Sequence, residues 1–239
     1  MIKRILLSVA ALQGAAALAA EVVVVGGTEA GVTAALAAKA AGADVILYES
    51  RPALGADTAG KLLLPPGATP LAVRKALDER LLSAGVAFRT WTYVKDVLRD
   101  AEGRVAAVTV VNRSGEQTVP ARCVIDATER AYVAKRAGGR FAAFPKGEYS
   151  FSRIVVSGQK PAFDGMTVAE VASVGRVRIW GPKASGEAAV VTGRVWRCTM
   201  KLPMADGSPL SFAQAEQLAR DRTWTAWQLE GADTCVFDA

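Results

Sequence analysis

Residues 22–25 are four consecutive valines, the pattern of a strand buried on both faces of a parallel sheet. Gly26-Gly27-Thr28-Glu29-Ala30-Gly31 follows. Residues 32–41 are alanine-rich and free of proline, which predicts a helix, and Gly42 is placed to end it. Residues 44–48 predict a second strand, closed by Glu49. Two apolar runs separated by such a helix form a βαβ unit with parallel strands. Residues 51–69 are rich in glycine and proline and predict loop. Residues 70–84 carry Leu71, Ala72, Ala76, Leu77, Leu81 and Leu82 at helical spacing, with Gly85 as the stop.

Residues 86–91 predict a third strand. The runs 92–99, 104–111 and 117–119 are strand-like, and the turns Ala101-Glu102-Gly103 and Asn112-Arg113-Ser114-Gly115 join them. They predict a β-meander inserted in the α/β layer. Residues 122–126 return as a buried strand ending in Ala127-Thr128, and residues 131–137 predict a short helix stopped by Gly138-Gly139. Beyond residue 140 the pattern changes. Residues 150–157, 174–180 and 188–200 are strand-like, and residues 211–229 predict a long helix with Ser211 as its N-cap. The expected organisation is a leader over residues 1–20, a Rossmann-like α/β domain over 21–140, and a partial α+β substrate or cap domain over 141–239.

The first βαβ unit carries specific chemistry. A glycine after the strand permits a tight turn, a second lets backbone approach a pyrophosphate, and a third lets helix and strand pack closely. The helix N-terminus presents free N–H groups and a positive dipole end to phosphates. An acidic residue roughly 20 positions on binds ribose hydroxyls. Gly26, Gly31 and Glu49 fill the first, third and acidic positions. Thr28 replaces the second glycine, beside Gly27, and its hydroxyl is a candidate donor to a phosphate oxygen. Glycines that serve packing alone are the plainer alternative.

Composition narrows the chemistry. Hydrophobic residues make up 51% and charged residues 22% of 239, an ordinary globular balance. The net charge is +6, but the basic residues are scattered, so nucleic acid is not an expected partner. Lys3-Arg4, an apolar run and Ala17-Leu18-Ala19 read as a secretory signal peptide. The run is shorter than the ~20 residues that span a bilayer. The expected location is therefore periplasmic or secreted, with no stable membrane anchor after cleavage. Histidine is absent, which excludes Ser-His-Asp and Cys-His nucleophile schemes and His-based zinc or haem sites. Cys123 reads as a small core residue, and Cys198 and Cys235 are compatible with a disulfide. No metal site is expected. Lys146, Glu148, Tyr149 and Arg153 are candidates to face a substrate, against the plainer reading of a solvated charged loop. Trp180, Trp196, Trp224 and Trp227 are candidate site-lining residues, against ordinary core packing. No catalytic acid or base emerges.

Residues 21–138 resemble the FAD-dependent oxidoreductases of the two-dinucleotide-binding-domain class, in particular a bacterial, often secreted family with a Gly-Gly-Thr fingerprint. The likeness rests on VVVVGGTEAGVTAALAAKAAGADVILYE, the Leu54-Gly55 step, the meander, and VIDATERAYVAKRAG. Leu54-Gly55 resembles the family's Leu-Gly-Gly, with Ala56 in place of the second glycine. Tyr93-Val94-Lys95 matches a backbone contact to adenine. Asp126-Ala127-Thr128 matches a strand end near the nucleotide, continued here by Glu129-Arg130-Ala131 where the family has glycine and acidic residues. The resemblance implies FAD, held by Gly26, Gly27, Thr28, Glu29, Ala30, Gly31, Glu49, Ser50, Arg51, Gly55, Ala56, Val94, Ala127 and Thr128. It implies flavin-mediated hydride transfer on a small-molecule substrate, the isoalloxazine carrying the redox chemistry. The stretch SPLSFAQAEQLARDRTWTAWQLEGAD is similar to the helix before the family's C-terminal half. That half is expected to add a Gly- and Ala-rich segment at the flavin end. Three readings of its absence stand: a fragment, a shortened non-catalytic relative, or a partner chain that supplies the rest. An NAD(P)-dependent dehydrogenase is the further alternative, disfavoured by the meander.

Overall fold

The run of valines becomes β1 (Ala20–Val25), the middle of a six-stranded sheet. This computed structural model describes residues 20–142, 144–179, 189–223 and 234–237, with the backbone path alone for 174–179, 189–192 and 234–237. The expected leader before Ala20, together with Trp180, Trp224 and Trp227, lies outside the described residues.

β1 pairs in parallel with β2 (Val45–Tyr48), Val22 opposite Val45 and Val25 opposite Tyr48. β3 (Ala87–Arg89) continues the parallel sheet beyond β2. β4 (Tyr93–Arg99) and β5 (Val105–Asn112) form the antiparallel meander with β6 (Gly115–Asp126). The sheet order is β3-β2-β1-β6-β5-β4. α1 (Glu29–Ala40) and α2 (Pro70–Ser83) pack on one face, where Val24, Val32, Leu47, Leu77 and Leu81 are buried together. Val23, Val25, Ile46 and Tyr48 meet Val94, Val108 and Val110 of the meander on the other. Both faces of β1 are therefore covered from Val23 to Val25, which is why successive positions there are all apolar. Each such valine contributes roughly 1.5–3 kcal/mol by burial.

The expected breaks between residues 117–119 and 122–126 do not exist. β6 is one strand of 12 residues. Its first half pairs with β5 up to Pro120, and its second half pairs with β1 from Ala121 to Asp126. Pro120 sits at the handover, where a missing N–H costs least. Cys123 is exposed rather than in the core. Past Pro120, no strand among the described residues pairs with the edge of β6 that faces away from β1.

A second, antiparallel sheet has the order β10-β7-β9-β8, built from β7 (Gly147–Ser157), β8 (Thr167–Ile179), β9 (Ala189–Met204) and β10 (Thr234–Phe237). Cys198 is free and buried on β9. Cys198 is opposite Arg153 of β7, whereas Cys235 is opposite Val156 on the other side of β7. Two strand spacings of about 4.8 Å exceed the ~7 Å Cα limit for a disulfide, so the Cys198–Cys235 bridge is not formed. Trp196 packs in the core with Val155, Phe163 and Cys198.

α4 (Pro209–Thr223) lies against Met200, Leu202 and Met204. Its cap is Ser208, whose hydroxyl accepts from Ser211 N at 3.1 Å, with Pro209 in the favoured first position. Ser211 is one turn inside, buried, its Oγ accepting from Ala205 N at 2.9 Å. The expected extension over residues 224–229 lies outside the described residues. Among the described residues, no helix is long and apolar enough to cross a membrane. No group of three or more Cys, Asp or Glu side chains there is placed to hold a metal.

Candidate functional site

The chain turns out of β1 at Gly26 with φ of +108°. A Cβ there would lie 2.5 Å from the Ala127 carbonyl oxygen. A Cβ on Gly31, in the first turn of α1, would lie 2.0 Å from the Gly26 carbonyl oxygen, and one on Gly27 would lie 2.5 Å from Leu54 Cδ2. These three glycines set how closely α1, β1 and the loop after β6 approach one another. Thr28 caps α1. Its Oγ1 accepts from Gly31 N at 3.0 Å and donates to the Ala127 carbonyl at 3.1 Å. The one hydroxyl proton is thereby used inside the protein, so the expected donation from Thr28 to a phosphate is not available in this arrangement.

Glu49 is only 5% exposed. Its Oε2 accepts from Gly27 N at 2.5 Å, and its Oε1 accepts from Arg51 N at 2.7 Å and Ser50 Oγ at 3.2 Å. A buried carboxylate needs such donors. A carboxylate has about four acceptor positions, so capacity for a ligand hydroxyl remains. Thr92 N donates to the Glu49 carbonyl and Trp91 N to that of Arg51. This brings the start of β4 to the acid, while the Val94 side chain is buried beneath the meander.

The Leu54-Gly55-Ala56 step lies on the turn after β1, Gly55 N donating to the Gly27 carbonyl at 2.7 Å. Gly55 has φ of +74°, and Ala56 is buried. The step delivers Asp57, which the sequence reading did not single out, to the start of α1. Glu29 N points at both of its carboxylate oxygens, each at 3.2 Å. The available signal was an acid directly after Leu-Gly-Ala in a glycine-rich loop. The Glu29 side chain pairs with Arg80 of α2 at 2.6 Å. Of Glu29, the backbone alone belongs to the site. Ala30 is exposed beside it.

On the opposite wall, Ala127 N donates to the Val25 carbonyl at 2.8 Å. The Thr128 hydroxyl donates to Asp126 Oδ1 at 2.6 Å and accepts from Tyr132 N at 2.8 Å. It thereby satisfies the first amide of the short helix α3 (Tyr132–Arg136), whose N-cap residue is Ala131. Glu129 reaches back across the cleft to Lys61 Nζ at 2.7 Å and Arg51 Nη2 at 3.1 Å. Burial on its own raises the Glu129 carboxyl, but the hydrogen bond and charge of Lys61, and then of Arg51, outweigh it and hold the group below its usual range.

These groups gather at the C-terminal ends of β1, β2 and β6. There the chain leaves β1 to one side for β2 and later returns on the other side as β6. Such a switch point is where open parallel sheets bind ligands. A sequence profile of the family described as FAD dependent oxidoreductase matches residues 21–69 and 67–227. The chain belongs to the FAD-dependent oxidoreductase family. FAD is the cofactor of this family. The ADP part of such a group would meet a turn without side chains at Gly26 and Gly27, the start of α1, and the buried Glu49 carboxylate at the end of β2.

Two solved structures share the fold. CabE, an aromatic hydroxylase from angucycline biosynthesis, superposes with a TM-score of 0.53 at 18% identity, over 92% of this chain and 52% of CabE. A geranylgeranyl bacteriochlorophyll reductase-like protein from Thermoplasma acidophilum gives 0.51 at 15% identity, over 91% of this chain and 65% of that protein. This FAD-dependent oxidoreductase chain thus spans less than two thirds of either. No match is found among curated proteins.

A second concavity, of about 320 Å³, lies between β7 and α4, with Tyr149, Phe151, Arg153, Phe212, Glu216 and Arg220 on its walls. Tyr149 and Arg153 share one face of β7, and the Tyr149 hydroxyl donates to the Pro145 carbonyl at 2.6 Å. Arg130, in the loop after β6, pairs with Glu216 at 2.7 Å and stacks over Phe212 at 4.8 Å. Of the expected cluster of four, Lys146 borders a different hollow and Glu148 is exposed.

Proposed function

We propose that this protein is an exported FAD-dependent oxidoreductase that acts on a small organic substrate, with residues 21–140 as the cofactor unit and 141–239 as the substrate unit. The observation that carries the cofactor half is the Glu49–Gly27 contact at 2.5 Å. It places a buried acceptor beside a side-chain-free turn at the start of a helix. In this reading Glu49 accepts from the ribose hydroxyls. Gly26, Gly27 and Gly31 let the diphosphate come close to backbone, and the first N–H groups of α1, at Thr28, Glu29 and Ala30, face it. Ser50, Arg51 and the backbone at Val94 border the adenosine, and Gly55, Ala56, Ala127 and Thr128 border the path toward the flavin. Bound FAD would supply the hydride-accepting isoalloxazine. The concavity between β7 and α4 falls at the lower end of the ~300–1,000 Å³ range of small-ligand sites and is our candidate for the substrate side.

Export is supported by the leader-like residues 1–20, with Lys3-Arg4, an apolar run and the Ala17-Leu18-Ala19 small-x-small step. Sequencing the N-terminus of protein from the extracellular or periplasmic fraction tests it. Chains that begin at Ala20 or Glu21 support export, and chains that retain residue 1 overturn it.

Parallel titrations with FAD and with NAD+ test the cofactor reading. Saturable FAD binding with a weaker NAD+ response supports it, and the reverse order refutes it. A second reading, a member of this family that holds no flavin, is favoured by one feature, the Asp57 carboxylate on the α1 amide. The same titration separates the two.

A further inference from the structure

The first N–H groups of an α-helix have no partner inside it, and the helix dipole favours an anion there. In α1 that anion belongs to the protein itself. Asp57 places both carboxylate oxygens 3.2 Å from Glu29 N. The loop that carries it is tied at both ends. Gly55 N is held by the Gly27 carbonyl at 2.7 Å, Gly60 N by the Gly55 carbonyl at 2.9 Å, and Leu63 N by the Thr58 carbonyl at 2.9 Å. Lys61 is pinned by Glu129 at 2.7 Å, and Leu62 is buried against Ile154 and Val156 of β7.

A dinucleotide whose ribose is held by Glu49 brings its diphosphate to this same helix end. An ionised carboxylate only accepts hydrogen bonds, and two anions at one N–H repel. We propose that Asp57 is an internal competitor for the diphosphate seat. It holds the α1 amide in the free protein and must release it for FAD to bind. This rests on the reading of the cleft as a dinucleotide seat. It makes FAD a cofactor whose affinity is set by Asp57 as well as by its direct contacts, and it makes the penalty specific to ligands that carry phosphate.

Asp57→Asn and Asp57→Ala test this on the full chain, with ADP and adenosine as calorimetric probes. Both variants are expected to bind ADP roughly 3- to 30-fold more tightly than the parent, while adenosine, which lacks phosphate, changes by less than about twofold on the same argument. Two variants are used so that poor folding of one leaves the comparison intact. ADP affinity that is unchanged or weaker in the folded variants overturns the proposal, as does an equal gain for ADP and adenosine. If parent and variants all bind neither probe, the dinucleotide reading itself fails and this inference with it.

Discussion

Glu49 and Gly27 stand 22 residues apart in sequence and meet through one hydrogen bond, the glycine N–H donating to the carboxylate at 2.5 Å. The contact ties the end of β2 to the turn after β1. The acid proposed to hold the ribose is therefore also the clasp of the βαβ unit, so its removal should act on stability as well as on binding.

Glu49→Ala strips Gly27 N and Arg51 N of their acceptor. A buried donor left unpaired costs about 1–3 kcal/mol. Glu49→Gln keeps one acceptor oxygen and loses less. Urea denaturation without ligand should rank the proteins parent, Gln, Ala. Equal stability of all three would show that the clasp contributes nothing.

Gly31→Ala puts a methyl group 2.0 Å from the Gly26 carbonyl oxygen and 3.0 Å from Ala127 Cβ. Backbone lies on the near side, so α1 must move away from β1. Overpacking of this kind costs about 1–3 kcal/mol, occasionally more. Thermal unfolding should show a clear loss, while Gly42→Ala, with nothing within 4 Å of its Cβ, suffers only the strain of its positive φ.

The Glu129 carboxyl is held below its usual value of 4.5 because Lys61 and Arg51 outweigh its burial. A depressed carboxyl adds stability that is fully present above about pH 4.5 and is lost as pH falls through the lower folded value. Arg51 is half exposed, which limits the gain to about 1 kcal/mol or less. Glu129→Gln should therefore be less stable than the parent at pH 7, and the difference should fade in denaturation curves as pH falls below 4.5 and through the lower folded value. A difference that persists in acid would assign it to packing instead.

The two described thiols should separate in alkylation. Burial pushes the Cys198 thiol up to about 11, and the thiolate is the reactive form. At pH 8, mass-spectrometric mapping of iodoacetamide adducts should find Cys123 modified and Cys198 intact until the protein is unfolded. Early labelling of Cys198 would mean that the core of the second sheet opens readily.

The β1–α1–β2 unit was legible because its signals are local: a doubly buried valine run, a turn that only glycine can make, and an acid at the strand end. The continuity of β6 was not, because Pro120 reads as a break until β1 is seen to take over the pairing there. Cys123 stands in an apolar strand pattern, but the pattern does not tell which edge of that strand is covered. Ser211 was the expected cap, but the path of the chain before α4 gives that role to Ser208 and turns the Ser211 hydroxyl to Ala205 N. The positions of Glu49 at the end of β2 and of the glycines at the turn after β1 were legible from spacing. Asp57 was not, since only the fold of the loop after Leu54 carries it to Glu29. The direction of the Thr28 hydroxyl is not legible either, since it is set by the Ala127 carbonyl, 99 positions away.

The central claim, that this cleft holds FAD by its ADP half, is tested most directly by competition. Purified flavin-free protein is titrated with FAD, followed by flavin fluorescence, and then challenged with ADP or with riboflavin. The account predicts saturable one-to-one binding that ADP displaces and riboflavin does not. Absence of binding, or FAD displaced by riboflavin and indifferent to ADP, would contradict it.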